Sequence, residues 1–299
     1  MTTAYVFPGQ GSQAPGMGKA FYDAWSATRE QFDTLTDATD LSLHRLCFEA
    51  DADTLRTTAN TQPAVYATGI ATYAGVTDRL GEPDFVAGHS LGHLTAATAA
   101  GVITPSDGIG LVRRRGELMQ QAAEHHGPGT MVAVLLADPP EVEAICENYT
   151  DVSVAGFNGP RQTVISGAAS VVKRVREDLS AETHARFSEL DVGAAFHSPI
   201  METAVAPFEE ALDAVSFDKA SIPVCSDVSS DVYTDPAVAR RDLSDQLTAP
   251  IDWVGVVEAL TDRGVDRFVE FPPSGTLVSL IEKIAPDVET LALKSPDTV

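Results

Sequence analysis

Residues 84–103 read "DFVAGHSLGHLTAATAAGVI". A short apolar run ends at two glycines, Gly88 and Gly92, that bracket His89, Ser90 and Leu91. The Ala-rich stretch that follows has the composition of a well-packed helix. A strand, a glycine-bounded turn and a helix in direct succession give the G-x-S-x-G pattern its required context. There the serine sits on a sharp turn that lifts its hydroxyl to the carboxyl end of a sheet, beside a helix N-terminus. Ser90 is therefore the candidate nucleophile; the plainer alternative is a structural turn serine. His89 and His93 stand four apart, the spacing of two metal ligands on one helix. His89, however, precedes the helix, and no nearby cysteine or acid completes a ligand set, so no metal is expected.

The rest of the chain extends this unit. "AYVFPG" near the N-terminus is a buried strand stopped by Pro8 and Gly9. Helices are predicted over 61–81, 91–103 and 105–127, and Arg113, Arg114 and Arg115 on the last point in three directions about 100° apart. The pattern changes at residue 130. Strands at 130–137, 152–160, 162–168 and 184–192 alternate with helices at 139–149 and 170–182. This β-α-β-β-α-β order is that of a ferredoxin-like unit. Beyond Gly193 come a helix (199–214), a strand (222–228), a helix near 250–263, a strand (267–272) and a final helix (275–284). The fold class is α/β: a large domain with a mostly parallel sheet, residues 1–127 and 194–299, and a ferredoxin-like insert, residues 128–193.

Composition narrows the function. The 299 residues include 43 acids against 20 basic residues, a net charge of -23. Phosphate binding needs a basic face, so no nucleic acid is expected as a partner. The acids are scattered and form no tail, which reads as whole-surface acidity. Such a surface repels itself at low salt, and screening relieves the repulsion. Fold and activity are thus expected to favour a halophilic setting, with a melting temperature that rises from low salt into molar KCl; a flat melting temperature contradicts this. No apolar run reaches the ~18 residues of a membrane span, and the N-terminus does not read as a signal peptide. Cys47, Cys146 and Cys225 are odd in number and far apart, which fits a reducing cytoplasm. A monomer is expected.

A serine hydroxyl needs a base. Spacing alone does not choose among the seven histidines. In nucleophile-elbow enzymes the base lies C-terminal to the serine, and His197, flanked by small residues in "GAAFHSPI", fits a loop at such a site. His44 and His184 read as surface or satisfied core residues.

"FPGQGSQ", "AGHSLG", "VRRRGELM", "FNGPRQTVISG", "AFHSPIM" and "QLTAPIDW" occur in one order along the whole chain. In that order and spacing the chain resembles the malonyl-CoA:acyl carrier protein transacylases and the related acyltransferase domains of polyketide synthases. The resemblance implies that the large domain is α/β-hydrolase-like, with the ferredoxin-like insert. It implies Ser90 as the nucleophile that takes malonyl as an ester and His197 as its general base. It implies the backbone carbonyl of Gln246 as the group orienting that histidine, and the N–H groups of Gln10 and Leu91 as the oxyanion hole. Arg115 matches the arginine that grips the malonyl carboxylate as a planar pair. Arg113 and Arg114 then fall to the surface or to docking, and Asn158 to the cleft wall.

From these roles follow malonyl-CoA and acyl carrier protein as substrates, a ping-pong reaction, and no cofactor. The alternative is a proofreading acyl hydrolase that discharges acyl groups to water; a catalytically dead docking module is a third reading, against which the Ser90–His197 pair speaks. Phe196 is expected to wall off an α-methyl group. Lys173, Arg174, Arg176 and Arg186 on the insert are candidates for docking an acidic carrier protein. Two departures from the family stand out: His93 occupies a position where the family usually has Glu, and Pro273-Ser274 replace the first Gly and Pro of a Gly-Pro-Gly turn, with Gly275 kept.

Overall fold

A computed structural model describes all 299 residues. In chain order the strands are β1 (Thr2–Phe7), β2 (Phe85–Gly88), β3 (Gly129–Leu135), β4 (Val152–Gly159), β5 (Gln162–Ala168), β6 (Arg186–Glu189), β7 (Val224–Cys225), β8 (Val232–Tyr233), β9 (Ile251–Asp252), β10 (Val265–Glu270) and β11 (Glu289–Ala292). They form two sheets. The larger has the order β11-β10-β1-β2-β7-β8 and is parallel except for the β7–β8 pair. The smaller has the order β6-β3-β5-β4-β9.

Side-chain alternation builds the large layer. Tyr5, Phe7, Val86, Val224 and Val269 point into one hydrophobic cluster; Ala4, Val6, Ala87, Cys225 and Phe268 point into another on the opposite face. A sheet buried on both faces needs apolar residues at every position, which is why "AYVF" and "FVAG" read as continuous runs rather than alternating ones. Helices Thr58–Leu80, Leu91–Ala99 and Pro105–His126 contribute to the first cluster. Helices Trp253–Asp262 and Thr276–Ile284 contribute to the second.

The small sheet uses the same period. Val132, Val134, Val152, Val154 and Ile165 pack beneath helices Pro139–Cys146 and Ala169–Glu182. Met131, Ala155 and Val164 face the other way, and there they line a cleft against the large layer. One feature departs from a four-stranded ferredoxin-like sheet: β9, from beyond residue 193, pairs in parallel with β4 through Gly156–Ile251 and Phe157–Asp252. This two-residue strand opens the expected helix near 250–263, which begins only at Trp253, capped by the Asp252 side chain.

Other boundaries shift for local reasons. The helix after Ser90 ends at Ala99 rather than residue 103, because Gly101 takes a left-handed φ of 76°. Helices at Lys19–Ala24, Ser26–Asp37, Leu43–Phe48, Ala52–Arg56 and Pro236–Asp245 fill regions where the sequence suggested no element. No helix is long and apolar enough to cross a membrane.

Candidate active site

Ser90 lies at the end of β2, where the chain must reverse before the helix Leu91–Ala99. Its backbone takes φ 53° and ψ -113°, a strained conformation for a residue with a Cβ, costing about 1–3 kcal/mol. Neighbouring glycines make the turn possible. A Cβ on Gly88 would stand 1.9 Å from the Gly92 carbonyl, and one on Gly92 would stand 1.9 Å from the Phe7 carbonyl oxygen. Both positions therefore exclude any side chain, the physical content of the two glycines in the motif.

His197 comes from the loop after β6 and also has a positive φ, 54°. Its Nε2 is 2.7 Å from Ser90 Oγ, and its Nδ1 is 2.7 Å from the Gln246 carbonyl oxygen. A carbonyl only accepts, so Nδ1 carries the proton and Nε2 is free to accept from the serine hydroxyl. Burial, with a further contribution from the Arg115 charge, pushes the His197 pKa down to about 3. The imidazole is thus neutral, with Nε2 unprotonated, at all ordinary pH values. Acylation of Ser90 is expected to show no ionisation near pH 6.5 and to stay level from pH 8 down to pH 5, since only a base that takes up its proton within that range would lose activity there. Single-turnover rates across the range check this; a rate halved near pH 6.5 contradicts it.

Arg115 is 1% exposed. Its Nη1 donates to Gln62 Oε1 at 2.9 Å; its Nη2 donates to Gln246 Oε1 at 3.0 Å and to Ser90 Oγ at 3.3 Å. Its Nε has no partner. Burial lowers its pKa to about 10, which leaves it charged at neutral pH. A buried guanidinium with only neutral groups at hydrogen-bond distance and one donor unused has the capacity to hold an anion; the Asp227 carboxylate acts on it from beyond hydrogen-bond distance. The helical turn explains its neighbours: Arg113 faces outward to Asp40 and Glu117, and Arg114 to Glu117.

The cleft has a volume of about 340 Å³. Gln10, Ser90, Asn158, Phe196 and His197 are on its wall, whereas Arg115 and Gln246 lie behind Ser90. The N–H groups of Gln10 and Leu91 have no backbone acceptor, so both remain available to an oxyanion. Asn158 Oδ1 is 2.9 Å from His89 Nε2, and burial lowers the His89 pKa, so that pair is a neutral hydrogen bond. His93 faces away from His89, toward Tyr233 and Asp227. Of the remaining histidines, His44 is 3.0 Å from Asp33, and His125, His126 and His184 are exposed.

Two residues of this site escaped sequence reading. Gln62 is a helix residue whose amide oxygen meets Arg115 across the core. Asp227 is fully buried and accepts the Ser90 backbone N–H at 2.7 Å. It follows β7, beside β2, so its place at the carboxyl edge of a parallel sheet was the available signal. The Pro273-Ser274 departure is local: the Glu270 carboxylate accepts the N–H groups of Gly275, Leu277 and Val278 and so organises that loop.

A serine–imidazole pair at the edge of a parallel sheet, with a second sheet across the cleft, defines an α/β-hydrolase-like protein equipped for acyl transfer. Residues 4–293 match the acyl transferase domain, and the chain belongs to that family. It is 37% identical over 300 residues to the malonyl CoA-acyl carrier protein transacylase of Bacillus subtilis (strain 168), covering 99% of this chain and 94% of that protein. It is 36% identical over 291 residues to the polyketide biosynthesis malonyl CoA-acyl carrier protein transacylase PksC of the same strain, covering 96% and 98%. Among solved structures, an acyl carrier protein S-malonyltransferase from Vibrio cholerae superposes with a TM-score of 0.93 at 32% identity, covering 100% of this chain and 98% of that one.

Proposed function

We propose that this protein transfers a malonyl group from malonyl-CoA to the phosphopantetheine thiol of an acyl carrier protein. The observation that carries the reading is the buried Arg115 guanidinium beside Ser90 Oγ, with no carboxylate at hydrogen-bond distance. A neutral acyl chain leaves that charge unanswered; the free carboxylate of a malonyl group answers it. Relatives of nearly equal length that carry the malonyl transacylase name support the same substrate.

In the proposed reaction Ser90 Oγ attacks the malonyl thioester carbonyl while His197 Nε2 takes its proton. The Gln10 and Leu91 N–H groups hold the oxyanion. The tetrahedral intermediate collapses, and the imidazolium protonates the departing CoA thiolate. His197 then takes the proton of the carrier thiol, which attacks the seryl ester and regenerates Ser90. Gln246 holds the imidazole through its carbonyl, and Asn158 fixes His89 at the cleft wall.

Phe196, 5% exposed on the cleft wall, limits space at the α-carbon. A single methyl is worth only ~1–3 kcal/mol of discrimination in such a pocket, so some methylmalonyl leakage is expected. Lys173, Arg174 and Arg186 are exposed on the small domain and offer the acidic carrier a basic landing.

The test is intact-mass labelling with malonyl-, methylmalonyl- and acetyl-CoA, followed by release with and without carrier protein over a salt series. A malonyl adduct that discharges to the carrier thiol much faster than to water is the expected result, with a carrier KM that falls as salt screens the like charges. Discharge to water at the same rate would instead make the protein an acyl hydrolase. In the same assay Phe196→Ala raises the methylmalonyl share; an unchanged share removes Phe196 as the wall.

A further inference from the structure

Beneath the elbow lies a buried polar cluster with two members, Asp227 and His93, to which the proposed reaction assigns no role. Asp227 and His93 are each 0% exposed. Asp227 Oδ2 accepts the Ser90 N–H at 2.7 Å. The Gln246 side-chain amide donates to both Asp227 oxygens, at 2.8 and 2.9 Å, and to the Ser90 carbonyl at 2.9 Å. His93 Nδ1 stands 3.4 Å from Asp227 Oδ1, while its Nε2 is 2.9 Å from the Tyr233 hydroxyl. Every group within reach of the carboxylate is thus an N–H or a ring nitrogen able to carry one, and no acceptor competes.

The consequences reach both ends of the site. Ser90 sits in a strained backbone conformation, and strain persists only where the surroundings over-determine it. Asp227 pins its N–H; Gln246, itself held by Asp227, pins its carbonyl. The same Gln246 orients His197 Nδ1 through its backbone and accepts from Arg115 through its side chain. One carboxylate therefore sets the positions of the nucleophile and of Gln246, the residue that both orients the base and meets the arginine. A buried carboxylate is costly unless donors face it; Ser90 and Gln246 supply them, and the ring of His93, whose Nδ1 makes no hydrogen bond, stands beside Oδ1 at 3.4 Å.

We propose that Asp227 is a positioning residue of the acyl-transfer step, and that His93 is the buried partner that lets a carboxylate stand there. The inference rests on the acyl-transfer reading above. It also explains the departure at position 93: a glutamate there would set a second carboxylate against Asp227, and like charges at such a distance do not share a dry site.

The experiment is single-turnover acylation by radiolabelled malonyl-CoA, in which burst amplitude counts folded sites and the rate constant reports their geometry. Asp227→Asn keeps the shape but turns an NH2 toward the donors of Gln246 or Ser90. It is expected to keep a near-full amplitude while the rate constant falls on the order of 10- to 100-fold. His93→Glu is expected to fall at least as far, and His93→Glu combined with Asp227→Asn, which removes the facing carboxylate, recovers roughly tenfold of that loss. If His93→Glu does not fold, Asp227→Asn and His93→Gln still decide the matter, Gln being the milder change because it can donate to Asp227. An Asp227→Asn rate constant within about twofold of the native value overturns the proposal, as does a double variant no faster than His93→Glu alone. A native protein that shows no burst with malonyl-CoA refutes the acyl-transfer reading itself, a separate outcome.

Discussion

Ser90→Ala is expected to abolish the acyl-enzyme and to lower malonyl transfer by a factor on the order of 10⁴ or more. The size of the effect follows from the route. Without Oγ no covalent intermediate forms, and the carrier thiol would have to meet the CoA thioester directly in a cleft arranged for two sequential half-reactions. The proposed oxyanion donors of Gln10 and Leu91, being backbone N–H groups, survive the substitution and would sustain only the residual rate. His197→Ala is expected to fall nearly as far. Its imidazole is the only base within hydrogen-bond distance of Ser90 Oγ, and the other side chain there, Arg115, is a donor. The two losses are not additive: the double variant should be little worse than either single one, because both remove the same step. Intact-mass labelling and steady-state rates measure this. An adduct that persists in Ser90→Ala rules out the nucleophile.

Arg115→Ala is expected to change which acyl group is taken. A charge-assisted, two-pronged contact to a carboxylate is worth about 3–4 kcal/mol in a buried site. At 1.4 kcal/mol per tenfold, kcat/KM for malonyl-CoA should fall on the order of 10²- to 10³-fold. Acetyl-CoA has no carboxylate to lose and should be little affected, or improved by the space. The malonyl-to-acetyl ratio is the decisive quantity because it does not depend on the folded fraction. Arg115→Lys keeps a positive charge but cannot reach Gln62, Gln246 and a carboxylate from one planar fork, so it should lie between Ala and the native residue. An unchanged ratio in Arg115→Ala would remove Arg115 as the specificity group.

Ser90 and Arg115 differ in how plainly the chain marks them. The elbow was legible because its requirements are local. Gly88 is excluded from bearing a side chain by a contact inside the turn, with the Gly92 carbonyl, and the motif spans only a few residues, although Gly92 itself meets Phe7 of the neighbouring strand. The two-faced burial of β1 and β2 was legible for the same reason, as unbroken apolar runs. Region 19–56 was not: three of its four helices are only five or six residues long, and several begin without a side-chain cap. β9 is too short for any periodicity, and its pairing partner lies far away in the chain.

The α/β class, the sharp turn at Ser90 and the acidic surface can all be read from the chain alone, since each is written in neighbouring residues or in bulk composition. Among seven histidines and 20 basic residues, no local mark separates His197 or Arg115 from the others without appeal to a family. Folding makes that selection. It brings residues 62, 90, 115, 197, 227 and 246 into hydrogen-bonded contact from separate helices and loops. It also gives Asp227, unremarkable in "VCSDV", the backbone of the serine 137 residues before it to hold. A hydrogen bond across such a separation has no sequence signature, because its geometry is set by the packing of the sheet and helices between its two ends.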